Sequence, residues 1–271
     1  MSRLFGALCS LSLCAGCLVV PEGAAPAVSV DASVASQFNF RGMTNVDAWV
    51  AQTEAIIDLP TKVEQGTLSV RAWANWDLEN DAGDAWFPGG HAGEPSQIDT
   101  QVSYTETYLG YDFTSGIVSY ALQNGDDFAR APDGERGETK ELFFVVQRPT
   151  VWELVPALRV HYDIDEVEGW YWNASVSRGF PVREDMVVGS RVSLGYADAD
   201  QADWLYGIDQ GGLADLQLHG GLEYFLDQNT TLRLGLNFST ILEDDVRDWL
   251  EDDIDIDADA FWAALGVTWA Y

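Results

Sequence analysis

The sequence predicts an all-β chain closed into an antiparallel, up-and-down transmembrane β-barrel of about 12 strands. Three observations predict it. Apolar and polar residues alternate with a period of two along nearly the whole chain. The alternating segments run to about 9–15 residues, longer than the ~5–6 usual in soluble sheets and sufficient for a tilted membrane strand of ~9–11. Short and long connections alternate between them, as they do when all the short turns lie at one end of a barrel.

The first segment, 27–41, sets Val28, Val30, Ala32, Val34, Phe38 and Phe40 against Ser29, Asp31, Ser33, Gln37, Asn39 and Arg41. A second strand is expected over 49–59. The third, 67–79, alternates Leu68, Val70, Ala72, Ala74, Trp76 and Leu78 with Ser69, Arg71, Asn75 and Asp77. Segments 98–112 and 140–148 alternate less cleanly, and Glu106 interrupts the apolar face of the former, which points to a bulge. Between them lies 116–124. Segment 156–164 pairs Leu158, Val160, Tyr162 and Ile164 with Arg159, His161 and Asp163. Segments 168–180 and 185–197 follow, the latter with Arg191 and Ser193 on its polar face. In 213–226 the polar face carries Asp215, Gln217, His219 and Glu223; in 230–241 it carries Arg233, Asn237 and Ser239. The last strand is 259–271. Short turns are expected at 60–65, 114–116, 150–155, 182–185 and 227–229. Polar connections, most of them longer, are expected at 42–48, 80–97, 125–139, 165–167, 198–212 and 242–258, with a turn of helix inside the last of them.

A soluble sandwich would alternate in the same way. The strand lengths argue for the membrane, as do aromatic residues near strand ends, among them Trp76, Tyr108, Tyr111, Trp170, Trp172, Tyr196, Tyr224, Phe38, Phe40 and Phe238. The charged inner faces suit a wet lumen. After Val20 the longest apolar run is Leu142 to Val146, far short of the ~20 residues of a membrane helix. Strands in hydrocarbon must close on themselves, because an open edge leaves backbone donors unpaired.

The N-terminal segment 1–26 reads as a secretory signal: Arg3, an apolar stretch from Leu4 to Val20, then Pro21 and small residues. Two cleavage sites fit. One follows the small residues Ala25 and Ala27; the other is a lipoprotein-like site ending at 16, which would leave Cys17 as the lipidated residue. Cys9, Cys14 and Cys17 are the only cysteines, so the 27–271 domain contains no disulfide. Signal, barrel and short turns together point to the outer membrane of a bacterium with two membranes.

The C-terminal "FWAALGVTWAY" resembles the assembly signal of outer-membrane proteins, an aromatic end preceded by alternate apolar residues, and this implies the barrel assembly machinery as a partner. "VDASVASQFNFRGMTNVD", "TLSVRAWANWDLEN" and "YTETYLGYDF" resemble the opening segments of the TorF-type porin family, over roughly 28–125. The resemblance implies an outer-membrane porin and no catalytic residues.

The chain has 14 Lys and Arg against 44 Asp and Glu, a net charge of −30. Nucleic acid is excluded as a partner on that ground; outer-membrane lipid and small solutes are the expected ones. Candidate lumen-lining residues are Arg41, Arg71, Asp77, Arg159, His161, Asp163, Arg191, Asp215, His219, Glu223 and Arg233. Phe261, Trp269 and Tyr271 are expected at the membrane interfaces. Asp253, Asp255 and Asp257 are a weak divalent-metal candidate: counted from Asp253, a calcium loop would need Gly at 258 and Glu at 264, where the chain has Ala258 and Ala264. They are expected to continue the outer face of the last strand into solvent. No catalytic site and no cofactor are expected, since His161 and His219 share the inward parity and no motif surrounds them. The expected activity is passive diffusion of small solutes through a narrow or partly plugged pore, preferring cations or neutral molecules because of the acidic excess. The alternative is a non-conducting scaffold barrel; a lipid-modifying enzyme is a more remote one.

Overall fold

The computed structural model describes residues 25–61, 66–81, 83, 85–87, 89–122, 138–148 and 153–271. Residues 1–24 of the expected signal segment, Cys17 among them, lie outside the described residues. Twelve strands form a closed antiparallel barrel: β1 (Ala27–Ala35), β4 (Val50–Pro60), β5 (Gly66–Asp77), β6 (Pro95–Tyr108), β7 (Tyr111–Leu122), β8 (Glu138–Gln147), β9 (Val155–Asp163), β10 (Trp170–Arg183), β11 (Met186–Ala197), β12 (Gly212–Phe225), β13 (Thr230–Ile241) and β14 (Asp259–Ala270). Each pairs with its chain neighbour, and β1 pairs with both β4 and β14, which closes the sheet. The seam holds to the last residue: Tyr271 N–H donates to the Val28 carbonyl at 2.7 Å, and Val28 N–H to the Tyr271 carbonyl at 3.1 Å. The remaining two strands, β2 (Phe38–Phe40) and β3 (Met43–Val46), pair only with each other.

The outward face is apolar all round. Val30, Val70, Val102, Leu142, Val192, Leu234 and Leu265 are large, apolar and exposed, an arrangement that only a lipid solvent makes favourable. Among the described residues, no helix is long and apolar enough to cross a membrane. Trp170, Trp172 and Tyr196 cluster at the loop end of this belt; Tyr108, Phe180 and Tyr271 lie at the turn end.

The structure departs from the sequence-based expectation at five places. The first segment ends as a barrel strand at Ala35, and Phe38 and Phe40 belong to the inward hairpin β2–β3, not to an aromatic girdle. Its turn is Arg41–Gly42, both at positive φ (51° and 87°), the two-residue geometry that matches strand twist. The predicted bulge at Glu106 is absent: register runs unbroken through it, to Gly66 on one side and Phe113 on the other. The irregularity lies instead between Asn75 and Trp76. The turn after β6 is Leu109–Gly110, also at positive φ, and not residues 114–116. Gly116 sits mid-strand for a packing reason: a Cβ there would crowd the Val102 carbonyl oxygen and lie 2.7 Å from the Phe143 ring. A helix, α1 (Ala199–Tyr206), occupies the predicted loop 198–212. Asp198 caps it by accepting from Gln201 N–H, and Gly207 ends it at φ 80°.

The fifth departure is the acidic run. Helix α2 (Asp244–Asp248) continues as a π turn (Trp249–Asp253), and β14 begins only at Asp259. Residues 254–258 are not strand, and Asp255 has φ 57°. Their alternation reflects loop packing. Ile256 and Ala258 are each 1% exposed against the barrel mouth, while Asp253, Asp255 and Asp257 face solvent.

Candidate functional site: a plugged mouth above a polar chamber

Loop 36–49 folds into the barrel. Phe38, Arg41, Gly42, Met43, Thr44, Asn45 and Val46 are all buried there. Thr44 and Asn45 carbonyls accept from Trp86 and Phe87 N–H, both at 2.9 Å, so loop 80–97 docks on the hairpin as a third, backbone-bonded layer. The apolar cluster around it draws Val50 from β4, Trp73 from β5, Tyr171 from β10, Ala197 from β11, Ala214 from β12, Ile241 from β13 and Trp262 from β14. Leu205 and Tyr206 of α1 and Leu250 and Ile256 of the last loop roof it. Phe38 lies 5.4 Å from the Trp73 ring and 6.2 Å from Phe87. A cavity of about 20 Å³ among Phe40, Met43, Trp86 and Tyr120 is the size of a single water, so the plug is packed like an ordinary protein core.

On the β7–β9 side of the wall a polar latch joins the packing of Phe40 against Val118, Tyr120 and Phe143. The Arg41 guanidinium donates to Glu141 Oε1 at 2.8 Å and to Oε2 at 2.6 Å. Tyr120 Oη donates to Glu141 Oε2 at 3.0 Å, and His161 Nδ1 lies 2.7 Å from the same oxygen. The cation also sits 4.3 Å from the Tyr171 ring centroid and 4.8 Å from Phe40. Tyr206 Oη donates to the Arg41 carbonyl at 2.8 Å, tying the tip to α1. Glu141 is 1% exposed, so its charge is stabilised by these donors alone.

Beneath the plug the lumen is polar. A cavity of about 540 Å³ is lined by Asp31, Glu54, Trp73, His219, Glu223, Arg233, Asn237 and Trp262, and a second of about 220 Å³ by Arg191, Gln217, His219, Asn237 and Trp262. The two share His219, Asn237 and Trp262 and form one chamber. Arg71 pairs with Glu54, and Arg233 with Asp31, which also accepts from Thr268 at 2.7 Å. His219 Nδ1 lies 2.7 Å from Asn237 Oδ1.

The sequence-predicted residues thus fall into three groups. Arg191, His219, Glu223 and Arg233 line the chamber, and Arg71 and Arg159 are on inward positions of their strands. Asp77, His161, Asp163 and Asp215 are buried near the mouth and bonded to neighbours: Asp215 accepts from Tyr171 Oη (2.7 Å) and Gln217 Nε2 (2.8 Å), and Asp163 accepts from Thr139 Oγ1 and from the amides of Asp165 (2.9 Å) and Val167 (3.0 Å). Arg41 is in the lumen, but on the plug instead of a wall strand, which corrects its place on the first barrel strand. Sequence reasoning missed Glu141, Tyr120 and Tyr171. An acid on the inward parity of β8, directly before the apolar run Leu142 to Val146, was the available signal. Phe261 and Tyr271 are exposed at the two ends of β14, and Trp269 lies outward beside Val30. Among the described residues, no group of three His, Cys, Asp or Glu could hold a metal ion, Asp253, Asp255 and Asp257 included.

A closed antiparallel barrel with an apolar belt and a polar interior defines a transmembrane β-barrel of the outer-membrane type. Solved structures agree on the fold. An outer-membrane channel from Pseudomonas putida F1 aligns with a TM-score of 0.56 at 11% identity, over 94% of this chain and 98% of that one. The NanC porin aligns with a TM-score of 0.51 at 10% identity, over 89% and 98%. The KdgM porin gives a TM-score of 0.48 at 12% identity, over 90% and 99%. No family model and no curated protein matches the chain.

Proposed function

We propose that the chain is a porin-like channel for small solutes whose resting lumen is closed at the loop end by the β2–β3 hairpin. The polar chamber carries this reading. Charged and hydrogen-bonding groups line space large enough for a small solute at membrane depth, where a purely structural barrel gains nothing from a wet interior. The porin folds of the similar structures and the N-terminal resemblance to the TorF-type family support the same reading. Cation or neutral-solute preference would arise at the mouth, where the last loop concentrates Asp244, Asp245, Asp248, Glu251, Asp252 and Asp253. His161 and His219 are occupied by Glu141 and Asn237, and we assign no catalysis to them. The Tyr271 end of β14 would serve recognition by the barrel assembly machinery, and the apolar belt would contact outer-membrane lipid.

The packed plug favours a second reading, a barrel that does not conduct. Swelling of liposomes containing the purified protein in neutral sugars of graded size separates the two. Size-dependent swelling supports a channel. Swelling no faster than empty liposomes, both for the native chain and for a variant with the hairpin excised, favours the non-conducting barrel.

A further inference from the structure

We propose that the β9–β12 side of the chamber is a binding subsite for a small organic oxyanion, held by the guanidinium groups of Arg159 and Arg191. The observation is an imbalance of charge. The chain has more than three carboxylates for every Lys or Arg, so an arginine without an acidic partner is unexpected. Elsewhere in the lumen the arginines are paired: Arg41 with Glu141, Arg71 with Glu54 and Arg233 with Asp31. Arg159 and Arg191 are not. Among the described residues neither makes an ion pair or a side-chain hydrogen bond, although both sit on inward positions. Two of the acids on this side are committed elsewhere, Glu141 to Arg41 and Asp215 to Tyr171 and Gln217, which leaves Glu223 four residues from His219.

Arg159 also lies within electrostatic reach of Arg191, Arg41 and Arg71. Two guanidinium groups facing the same lumen repel each other, so leaving them unneutralised costs stability. An anion between them would relieve that repulsion with charge-assisted hydrogen bonds. The surroundings suit one. Arg191 opens onto the cavity of about 220 Å³, where His219, Gln217 and Asn237 offer further hydrogen-bonding groups and Trp262 a flat apolar face. His219 is the cross-strand neighbour of Arg191. With the hairpin closing the loop end, access is from the turn end. The acidic mouth governs which ions enter from the loop side and has no bearing on this subsite, which holds whether or not the barrel conducts.

The test is isothermal titration calorimetry on the full barrel in detergent, with succinate, inorganic phosphate, succinamide and 1,4-diaminobutane as separate titrants. Saturable binding of succinate, phosphate or both is expected, with none of succinamide; which anion binds tells a carboxylate site from a phosphate site. Arg159→Gln with Arg191→Gln is expected to weaken binding by about tenfold or more, the loss of about one charge-assisted bond, while Arg148→Gln outside the lumen leaves it unchanged. Should the double variant fail to fold, salt decides: the affinity of the native chain falls as KCl rises if charge holds the anion. Equal binding of succinamide, binding of the diamine alone, an unaffected double variant, or affinity indifferent to KCl would each overturn the subsite.

Discussion

Arg41 and Glu141, 100 residues apart in the chain, meet in a buried bidentate ion pair at 2.8 and 2.6 Å inside the barrel. This pair fastens the hairpin to the wall at β8, beside the packing of Phe40 on Val118, Tyr120 and Phe143. Removing one partner of a buried pair leaves the other uncompensated, which costs about 3–5 kcal/mol.

Arg41→Ala is therefore expected to free the hairpin before it weakens the barrel. Amide hydrogen exchange of Phe40 and Met43 reads this directly. Their protection should fall by orders of magnitude, while Leu222 and Leu234 in the wall stay protected. Unchanged protection at the hairpin would mean that apolar packing alone holds the plug.

The outward face can be tested at its centre. Leu234 lies opposite Leu265 and Leu222, midway along the belt, and is 45% exposed. An arginine in hydrocarbon at that depth costs about 2–4 kcal/mol, so Leu234→Arg should lower stability by that amount in reversible urea unfolding in lipid vesicles. Glu223→Gln, facing the chamber, should change it little. Equal effects would contradict the assignment of faces.

Asp227, in the turn between β12 and β13, is held below the usual carboxylate range, chiefly by the backbone N–H of Asn229 and also by Thr230. A depressed folded-state value means that its contribution is complete above the unfolded value of about 3.9 and is lost as pH falls through the folded one. Acid should therefore weaken this turn below about pH 4, and Asp227→Asn should flatten that part of the profile. Exchange rates of the Asn229 and Thr230 amides against pH measure it; identical profiles in the two proteins would refute the assignment.

Much of the wall was legible in the sequence, because a strand with lipid on one side and water on the other must alternate. Val192 beside Arg191 and Leu234 beside Arg233 are examples, and strand length separates them from a soluble sandwich. The plug was not legible for the same reason. Phe38 and Phe40 keep the parity of Val28 to Val34, and Arg41 that of Ser29 to Ser33, since a hairpin packed between two surfaces also alternates, and nothing local marks Ala35 as the end of the wall. The turn at Leu109–Gly110 lacked the usual Asn or Asp, and Gly116 drew attention instead. Ile254, Ile256 and Ala258 alternate with aspartates because a loop pressed on the plug has an inside and an outside. The latch is a contact across the barrel between residues 100 apart, which no local pattern encodes.

The central claim is that one hairpin closes an otherwise passable lumen. Single-channel recording in planar bilayers tests it most directly, comparing the native chain with a variant in which residues 38–46 are replaced by a short Gly-Ser linker. Rare or small openings in the native protein and stable, much larger conductance steps in the variant are predicted. Large steady steps in the native protein, or none in a folded variant, would contradict it.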